Sequence, residues 1–123
     1  MAASIEQIAE YFVRYLFEEY HGTRHVRRVA TWIGFILKAI NRASGGTLQL
    51  SRTRQLTFTY KTHRFKARYN HQTGPRGGIQ IVEILPGRGA PEGKIVAEIT
   101  NLDEAERVYH SLEQELDSFL SQP

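Results

Sequence analysis

The sequence contains no cysteine, and this absence excludes several chemistries at once. A chain without thiols forms no disulfide, holds no thiolate zinc site and has no cysteine nucleophile. Such a composition fits a reducing compartment, so we expect a cytoplasmic location. The first ten residues, MAASIEQIAE, also lack the basic start and apolar core of an export signal.

Long apolar runs are missing as well. The longest candidate, VATWIGFILKAI, is interrupted by Lys38 and falls short of the roughly 18 apolar residues that span a bilayer. We therefore predict no membrane partner. The 41% hydrophobic and 24% charged residues are typical of a globular chain, and 123 residues predict a single domain over residues 1–123.

Acidic side chains are scarce in the first part of the chain. Residues 1–75 contain 12 Lys/Arg against 4 Asp/Glu, whereas residues 76–123 contain 4 against 9. The first segment therefore carries a net charge of +8 and the second −5. This division indicates either a face that binds polyanions or two halves that form ion pairs with each other.

Periodicity predicts an α+β fold with the element order α-α-β-β-β-β-α: an N-terminal helical hairpin, a four-stranded antiparallel meander and a C-terminal helix. Capping boxes at Ser4–Gln7 and Asn101–Glu104 mark the starts of the first and last helices. Gly22, with Thr23 as the next cap, separates the first two helices. Gly45-Gly46 ends the second helix.

From residue 47 onward the apolar period changes to two, which predicts strands. With Thr62-His63 as a two-residue turn, Tyr60 would pair with Phe65 and Phe58 with Ala67. All the apolar side chains of this hairpin would then face the helices. Two further strands are predicted over residues 79–86 and 94–100, with a long loop over residues 86–93.

The opposite face of the hairpin is cationic and is the main functional candidate, with contributions from Lys61, Arg64, Lys66 and Arg68. Alternate strand residues lie about 6.6–7 Å apart, close to the spacing of phosphates along a nucleic-acid strand. We expect contacts with the DNA or RNA backbone rather than with bases, because the aromatic rings fall on the other face. Secondary contacts are predicted for Arg24, Arg27, Arg28, Arg52, Arg54 and Arg76.

The cluster TRHVRR over residues 23–28 has three further interpretations. It opens the second helix, where the helix dipole favours an anion, and it resembles the basic start of a helix-turn-helix recognition helix. It could equally pair with the acidic C-terminal helix. The helix that follows is too apolar to lie along a DNA groove, which disfavours the helix-turn-helix reading.

The alternative function is a protein-interaction or self-assembling adaptor module without nucleic acid. The strands over residues 79–86 and 94–100 are apolar on both faces, which indicates a covered strand, an oligomer interface or a bulge near Glu83. In the interface case, a homodimer would form through Val82, Ile84 and Val96.

Catalysis has little support in the sequence. A metal-dependent nuclease is an outlying hypothesis based on Glu83, Glu92, Glu98 and the tripeptide EGK over residues 92–94. That tripeptide lies at the end of a Gly/Pro-rich loop rather than within an apolar strand. We therefore predict a non-enzymatic protein with no catalytic residue, no metal ligand and no cofactor.

Overall fold

Three helices and five strands form the chain, as a computed structural model describes it for residues 4–20, 24–50, 55–70, 72–73 and 77–122. Of residues 17, 19–20 and 24–31 only the backbone is described. In chain order the elements are α1 (Ile5–Tyr20), α2 (Arg24–Ser44), β1 (Gln49–Leu50), β2 (Leu56–Tyr60), β3 (His63–Asn70), β4 (Gly78–Ile84), β5 (Glu92–Ile99) and α3 (Leu102–Leu120). The predicted α+β class is confirmed, and the short β1 is an addition to the predicted four strands.

Both predicted helix caps form, the first as a complete capping box and the second through Asn101. The Ser4 hydroxyl accepts a hydrogen bond from the Gln7 amide at 3.2 Å, and the Gln7 side chain accepts one from the Ser4 amide at 3.0 Å. Asn101 Oδ1 accepts from the Glu104 amide at 2.9 Å. The helix starts are therefore fixed by local side chains, as the sequence predicts.

The second helix ends where the sequence predicts, because the residues after Ser44 leave the helical conformation. Gly45 and Gly46 have φ of 63° and 88°, which glycine adopts without strain. The predicted helix break at Gly22 and the cap at Thr23 lie outside the described residues. No helix in the described part of the chain is long and apolar enough to span a membrane.

The strands form one antiparallel sheet in the order β1-β2-β3-β4-β5. All three helices contribute to a core on one face of this sheet, together with the apolar side chains of β2 and β3. Strand β4 begins and ends earlier than predicted, and β5 begins at Glu92, so the loop between them covers only residues 85–91. Because the helices pack on the buried side chains of β3, the side chains between them in sequence point to the other face of the sheet.

The β2–β3 register differs from the predicted one by two residues. Phe58 pairs with Phe65, and Tyr60 pairs with His63 instead of Phe65. The turn is formed by Lys61 and Thr62, whose φ values of 47° and 69° match the type I′ geometry that suits the twist of a hairpin. A shift of two residues keeps every side chain on its predicted face, so the apolar half is buried as expected.

Of the interpretations offered for β4, the covered strand fits the structure. Val82 is 1% exposed and Ile84 is 8% exposed within the single chain. They lie directly opposite Lys66 and Arg64 of β3, so they belong to the face away from the helices. Val96 packs against the main core. These three residues therefore do not form an exposed apolar surface.

Both edges of the sheet are protected against pairing with another sheet. Within the described residues strand β1 comprises Gln49 and Leu50, and β5 departs from regular pairing with β4 between Ile81 and Val82 and again between Val82 and Ile84. At each irregularity β5 contains one residue more than the facing segment of β4, close to the bulge predicted near Glu83. Short edges and bulges both disfavour edge-to-edge association.

Candidate nucleic-acid interface

The candidate interface is the sheet face that points away from the helices, which we call the outer face. Three of the four predicted cations, Arg64, Lys66 and Arg68, emerge from it at alternate positions of β3, because their neighbours in sequence are buried in the core. Cross-strand pairing places further side chains beside them, namely Thr57, Thr59, Gln80, Val82, Ile84, Glu92, Ile95 and Glu98.

Lys61 does not lie on the outer face, so its predicted position is wrong. It belongs to the turn, and its Nζ donates a hydrogen bond to Asp117 Oδ1 of α3 at 2.8 Å. The Tyr60 hydroxyl donates to the same oxygen at 2.7 Å. The turn therefore directs Lys61 toward the helix layer, where it joins the hairpin to α3.

The Asp117 carboxylate is held in its charged form by these two donors. The hydrogen bond from Lys61, followed by that from Tyr60, lowers the pKa of Asp117 below its ordinary value. The same contact raises the pKa of Lys61, and it raises the pKa of the Tyr60 hydroxyl, which donates to a negative group. This contact joins the turn to α3 at the surface and directs Lys61 away from the outer face.

Lys66 and Arg68 converge on one carboxylate oxygen. Lys66 Nζ donates to Glu92 Oε1 at 2.7 Å, and the Arg68 guanidinium donates to the same oxygen. Lys66 is the more enclosed partner, with 12% of its side chain exposed against 42% for Glu92. The hydrogen bond from Lys66 and then that from Arg68 lower the pKa of Glu92, against the opposing effect of its partial burial.

A buried glutamine orients this group. Gln80 Oε1 accepts hydrogen bonds from Arg68 Nε at 3.3 Å and from Asn70 Nδ2 at 3.4 Å. Its Nε2 donates to Glu98 Oε2 at 3.5 Å. Gln80 was not predicted as part of the site, although a buried polar residue opposite a strand arginine is a signal of such a network. The guanidinium of Arg68 is thus held between an amide and a carboxylate.

Arg64 differs from the other three hairpin cations. Its side chain is exposed, and it makes no ion pair with any residue that the structure describes. It lies opposite Thr59 of β2 on one side and Ile84 of β4 on the other. An exposed guanidinium above an apolar neighbour is available to an incoming anion without losing an internal partner.

The secondary cations cannot be placed on the interface. Arg52, Arg54 and Arg76 lie outside the described residues. Arg24, Arg27 and Arg28 belong to the first turns of α2, where only the backbone is described. The predicted pairing of this cluster with the C-terminal helix likewise falls on side chains outside the description.

The carboxylates of the nuclease hypothesis do not converge. Glu92 binds cations on the outer face, whereas the Glu83 side chain lies against Gly93 on the helix-facing side, where a Cβ on that glycine would collide with it. Within the described residues, no group of three or more His, Asp or Glu side chains could hold a metal ion. The geometry thus gives this hypothesis no support.

Part of the uneven charge distribution is accounted for by ion pairs within the chain. The pairs Lys61–Asp117, Lys66–Glu92 and Arg68–Glu92 each join a cation of the first segment to a carboxylate of the second. This agrees with the interpretation that the two halves pair with each other, and it leaves Arg64 as the hairpin cation that makes no ion pair with another described residue.

Comparisons with models of known protein families, with curated protein sequences and with solved structures give no match. Function must therefore be inferred from the side chains themselves. On the outer face these are cations at strand spacing, a carboxylate that two of them share, and flanking amide and hydroxyl groups.

The two cation-bound carboxylates predict a loss of stability in acid. Because the pKa values of Glu92 and Asp117 are lowered on folding, their contribution is complete above the ordinary values of 4.5 and 3.8 and is lost as pH falls below them. We expect Glu92→Gln and Asp117→Asn each to flatten the decline of the melting temperature between about pH 5 and pH 2. Thermal melting measured across this range checks the expectation.

Glu113→Gln is the control for this experiment, since Glu113 is exposed on α3. It should leave the shape of the profile unchanged. Equal flattening by all three substitutions would show that general charge repulsion, rather than these two ion pairs, causes the acid sensitivity.

Proposed function

We propose that this protein is a non-enzymatic, cytoplasmic module that binds nucleic acid through its outer face, by contacts with the phosphate backbone. The observation that carries the proposal is that Arg64, Lys66 and Arg68 emerge at alternate positions of one strand, on a face that carries none of the helices described. Their spacing of about 7 Å allows neighbouring cations to reach successive phosphates.

Arg64 is the leading contact in this proposal because its side chain is exposed and makes no ion pair with any other residue that the structure describes. Its planar guanidinium can donate two parallel hydrogen bonds to a phosphate, and the hydroxyl of Thr59, directly opposite, adds a further donor. Lys66 and Arg68 contribute once they exchange Glu92 for a phosphate. Arg24, Arg27, Arg28, Arg52, Arg54 and Arg76 remain secondary contacts.

The expected binding mode is weak and independent of base sequence. Phe58, Phe65 and Tyr69 are buried in the core, so no ring of this set is available to stack on a base. A few phosphate contacts of this kind correspond to dissociation constants of about 10⁻⁴ to 10⁻⁶ M. Single strands, duplexes and folded RNA should therefore bind with similar affinity.

The alternative adaptor function has less support. A homodimer through Val82, Ile84 and Val96 would need those side chains on the surface, whereas the first two are buried and the third packs on the core. The bulged edge of β5 also disfavours pairing between two sheets. A stable oligomer in light scattering, unchanged by substitutions on the outer face, would nevertheless favour this function.

Salt dependence tests the proposal directly. Fluorescence anisotropy with a labelled 20-nucleotide strand should show binding that weakens by about 20-fold between 50 and 200 mM salt, as expected for about three neutralised phosphates. Unrelated sequences should behave alike. Binding that is independent of salt would contradict backbone recognition.

Arg64→Glu should weaken this binding by about tenfold at 50 mM salt, since it replaces one phosphate contact by a repulsion. The matched control is Arg14→Glu, which makes the same change of charge on the exposed side of α1. The control should change affinity by less than about twofold. Equal effects of both variants would mean that net charge, and not the outer face, determines binding.

A further inference from the structure

We propose that Lys66 and Arg68 form a single phosphate-binding site and that Glu92 occupies it as an internal competitor in the free chain. This inference rests on the proposed function and specifies how that face takes its ligand. A phosphodiester would bind by displacing the Glu92 carboxylate, rather than by binding to cations that have no partner.

The geometry of the pair is that of an anion site. Two cations from the same strand, one an ammonium and the other a guanidinium, donate to the same atom, Glu92 Oε1. A phosphodiester shares one negative charge between two acceptor oxygens, as a carboxylate does. The position that Glu92 Oε1 occupies is therefore one that a backbone phosphate oxygen can take.

Neighbouring side chains hold both cations in the positions from which they donate to Glu92. The Lys66 side chain is largely enclosed and lies directly opposite the buried Val82, and Arg68 is bonded through Nε to Gln80. Neither cation can readily turn to a second partner while Glu92 remains. A prearranged pair of donors loses little conformational freedom when the anion is exchanged.

Glu92, in contrast, can leave by rotation of its side chain alone. Its backbone is fixed by pairing with Ile84 and by the neighbouring hydrogen bond from the Leu85 amide to the Pro91 carbonyl, 2.8 Å long. Its side chain is the most exposed of the three partners. Displacement therefore requires no change in the sheet or in the loop over residues 85–91.

Competition lowers the apparent affinity by the fraction of molecules in which the site is empty. If about one tenth of the free chain has the Lys66–Arg68 pair open, removal of the competitor raises affinity about tenfold. The salt slope should also steepen, because in the wild type the displaced Glu92 carboxylate stays near the bound phosphates and offsets part of the positive charge that neutralises them.

Glu92→Gln tests this inference against Glu113→Gln. Glu113 loses the same charge, but it is exposed on α3, in the helix layer on the other side of the sheet. In the anisotropy assay at 50 mM salt we expect Glu92→Gln to bind the 20-nucleotide strand about tenfold more tightly than the wild type, with a steeper salt slope. Glu113→Gln should change affinity by less than about twofold.

Two further variants keep the test decisive. Glu92→Asp preserves the charge but shortens the side chain, so it should also bind more tightly, which a general charge effect does not predict. In a chain that already carries Lys66→Gln and Arg68→Gln, Glu92→Gln should have no effect on affinity. Circular dichroism and thermal melting establish that each variant is folded.

The outcomes separate the two proposals. If the wild type binds and Glu92→Gln gains no more than Glu113→Gln, competition by Glu92 is overturned and backbone binding stands. If neither the wild type nor any variant binds at 50 mM salt, the proposed function itself fails and this inference falls with it. Tighter binding by Glu92→Gln and Glu92→Asp alone supports the inference.

Discussion

Phe65→Ala is expected to lower the free energy of unfolding by about 3–5 kcal/mol, the range for truncation of a fully buried phenylalanine. Phe65 has no exposed surface and lies in the middle strand of the sheet. Its ring stacks on Phe58 with 5.5 Å between centroids and meets the edge of Phe119 at 6.2 Å. The substitution therefore opens a cavity between the hairpin and α3, which urea unfolding at neutral pH would measure.

Tyr11→Ala provides the aromatic control, since Tyr11 is 49% exposed on α1. It should change the free energy of unfolding by no more than about 0.5 kcal/mol. A loss below about 1 kcal/mol for Phe65→Ala would contradict the position of this ring at the centre of the core.

The alternation that buries Phe65 is also what made the outer face predictable. Because side chains alternate along a strand, placing Phe65, Ala67 and Tyr69 in the core places Arg64, Lys66 and Arg68 opposite. The prediction is insensitive to an error of two residues in register, since such a shift moves no side chain across the sheet. The face of the three cations followed from this rule, whereas the fold class also depended on the helical period and the helix caps.

Lys61 shows where the rule ends. Its position depends on which two residues form the turn, and Lys-Thr lacks the Asn-Gly or Asp-Gly signal that marks a type I′ turn in a sequence. Both candidate turns satisfy the apolar pattern equally well. Only the observed φ values, positive at both Lys61 and Thr62, remove Lys61 from the strand and bring it to Asp117.

The carboxylate that pairs with Lys66 and Arg68 could not be predicted from the sequence either. Glu92 is 26 residues from Lys66, and its alignment depends on two irregularities in the pairing of β5 with β4. Alternation gives the face of a residue in a regular strand but fails across a bulge, where parity changes. The cation that pairs with a given carboxylate is therefore settled by three-dimensional register and not by composition.

These pairings change what the charge distribution can accomplish. A net charge of +8 in residues 1–75 suggests a strongly cationic surface, yet Lys61, Lys66 and Arg68 are each bonded to a carboxylate of the second segment. The outer face is consequently only moderately basic, and the affinity expected of it is weak and sensitive to salt. The Glu92 substitutions measure how much the affinity for nucleic acid increases when Lys66 and Arg68 are released from this ion pair.

Gly78→Ala and Gly34→Ala are expected to change stability in opposite directions, although the two substitutions are chemically identical. A Cβ at Gly78 would lie 2.5 Å from the backbone carbonyl oxygen of Ile99, which belongs to the neighbouring strand and cannot rotate away. The cost should be about 1–3 kcal/mol, as for other overpacked sites. Strand β4 must shift relative to β5 to accommodate the methyl group.

A Cβ at Gly34, in contrast, meets no atom within 4 Å, and the residue lies in the interior of α2. Alanine there should stabilise the protein by about 0.8–1 kcal/mol, because it restricts the unfolded chain and favours the helix. Urea unfolding of the two variants should thus differ by about 2–4 kcal/mol. If both substitutions moved the unfolding midpoint in the same direction, the close approach of β4 to β5 at Gly78 would be incorrect, and with it the register that brings Glu92 to the cations.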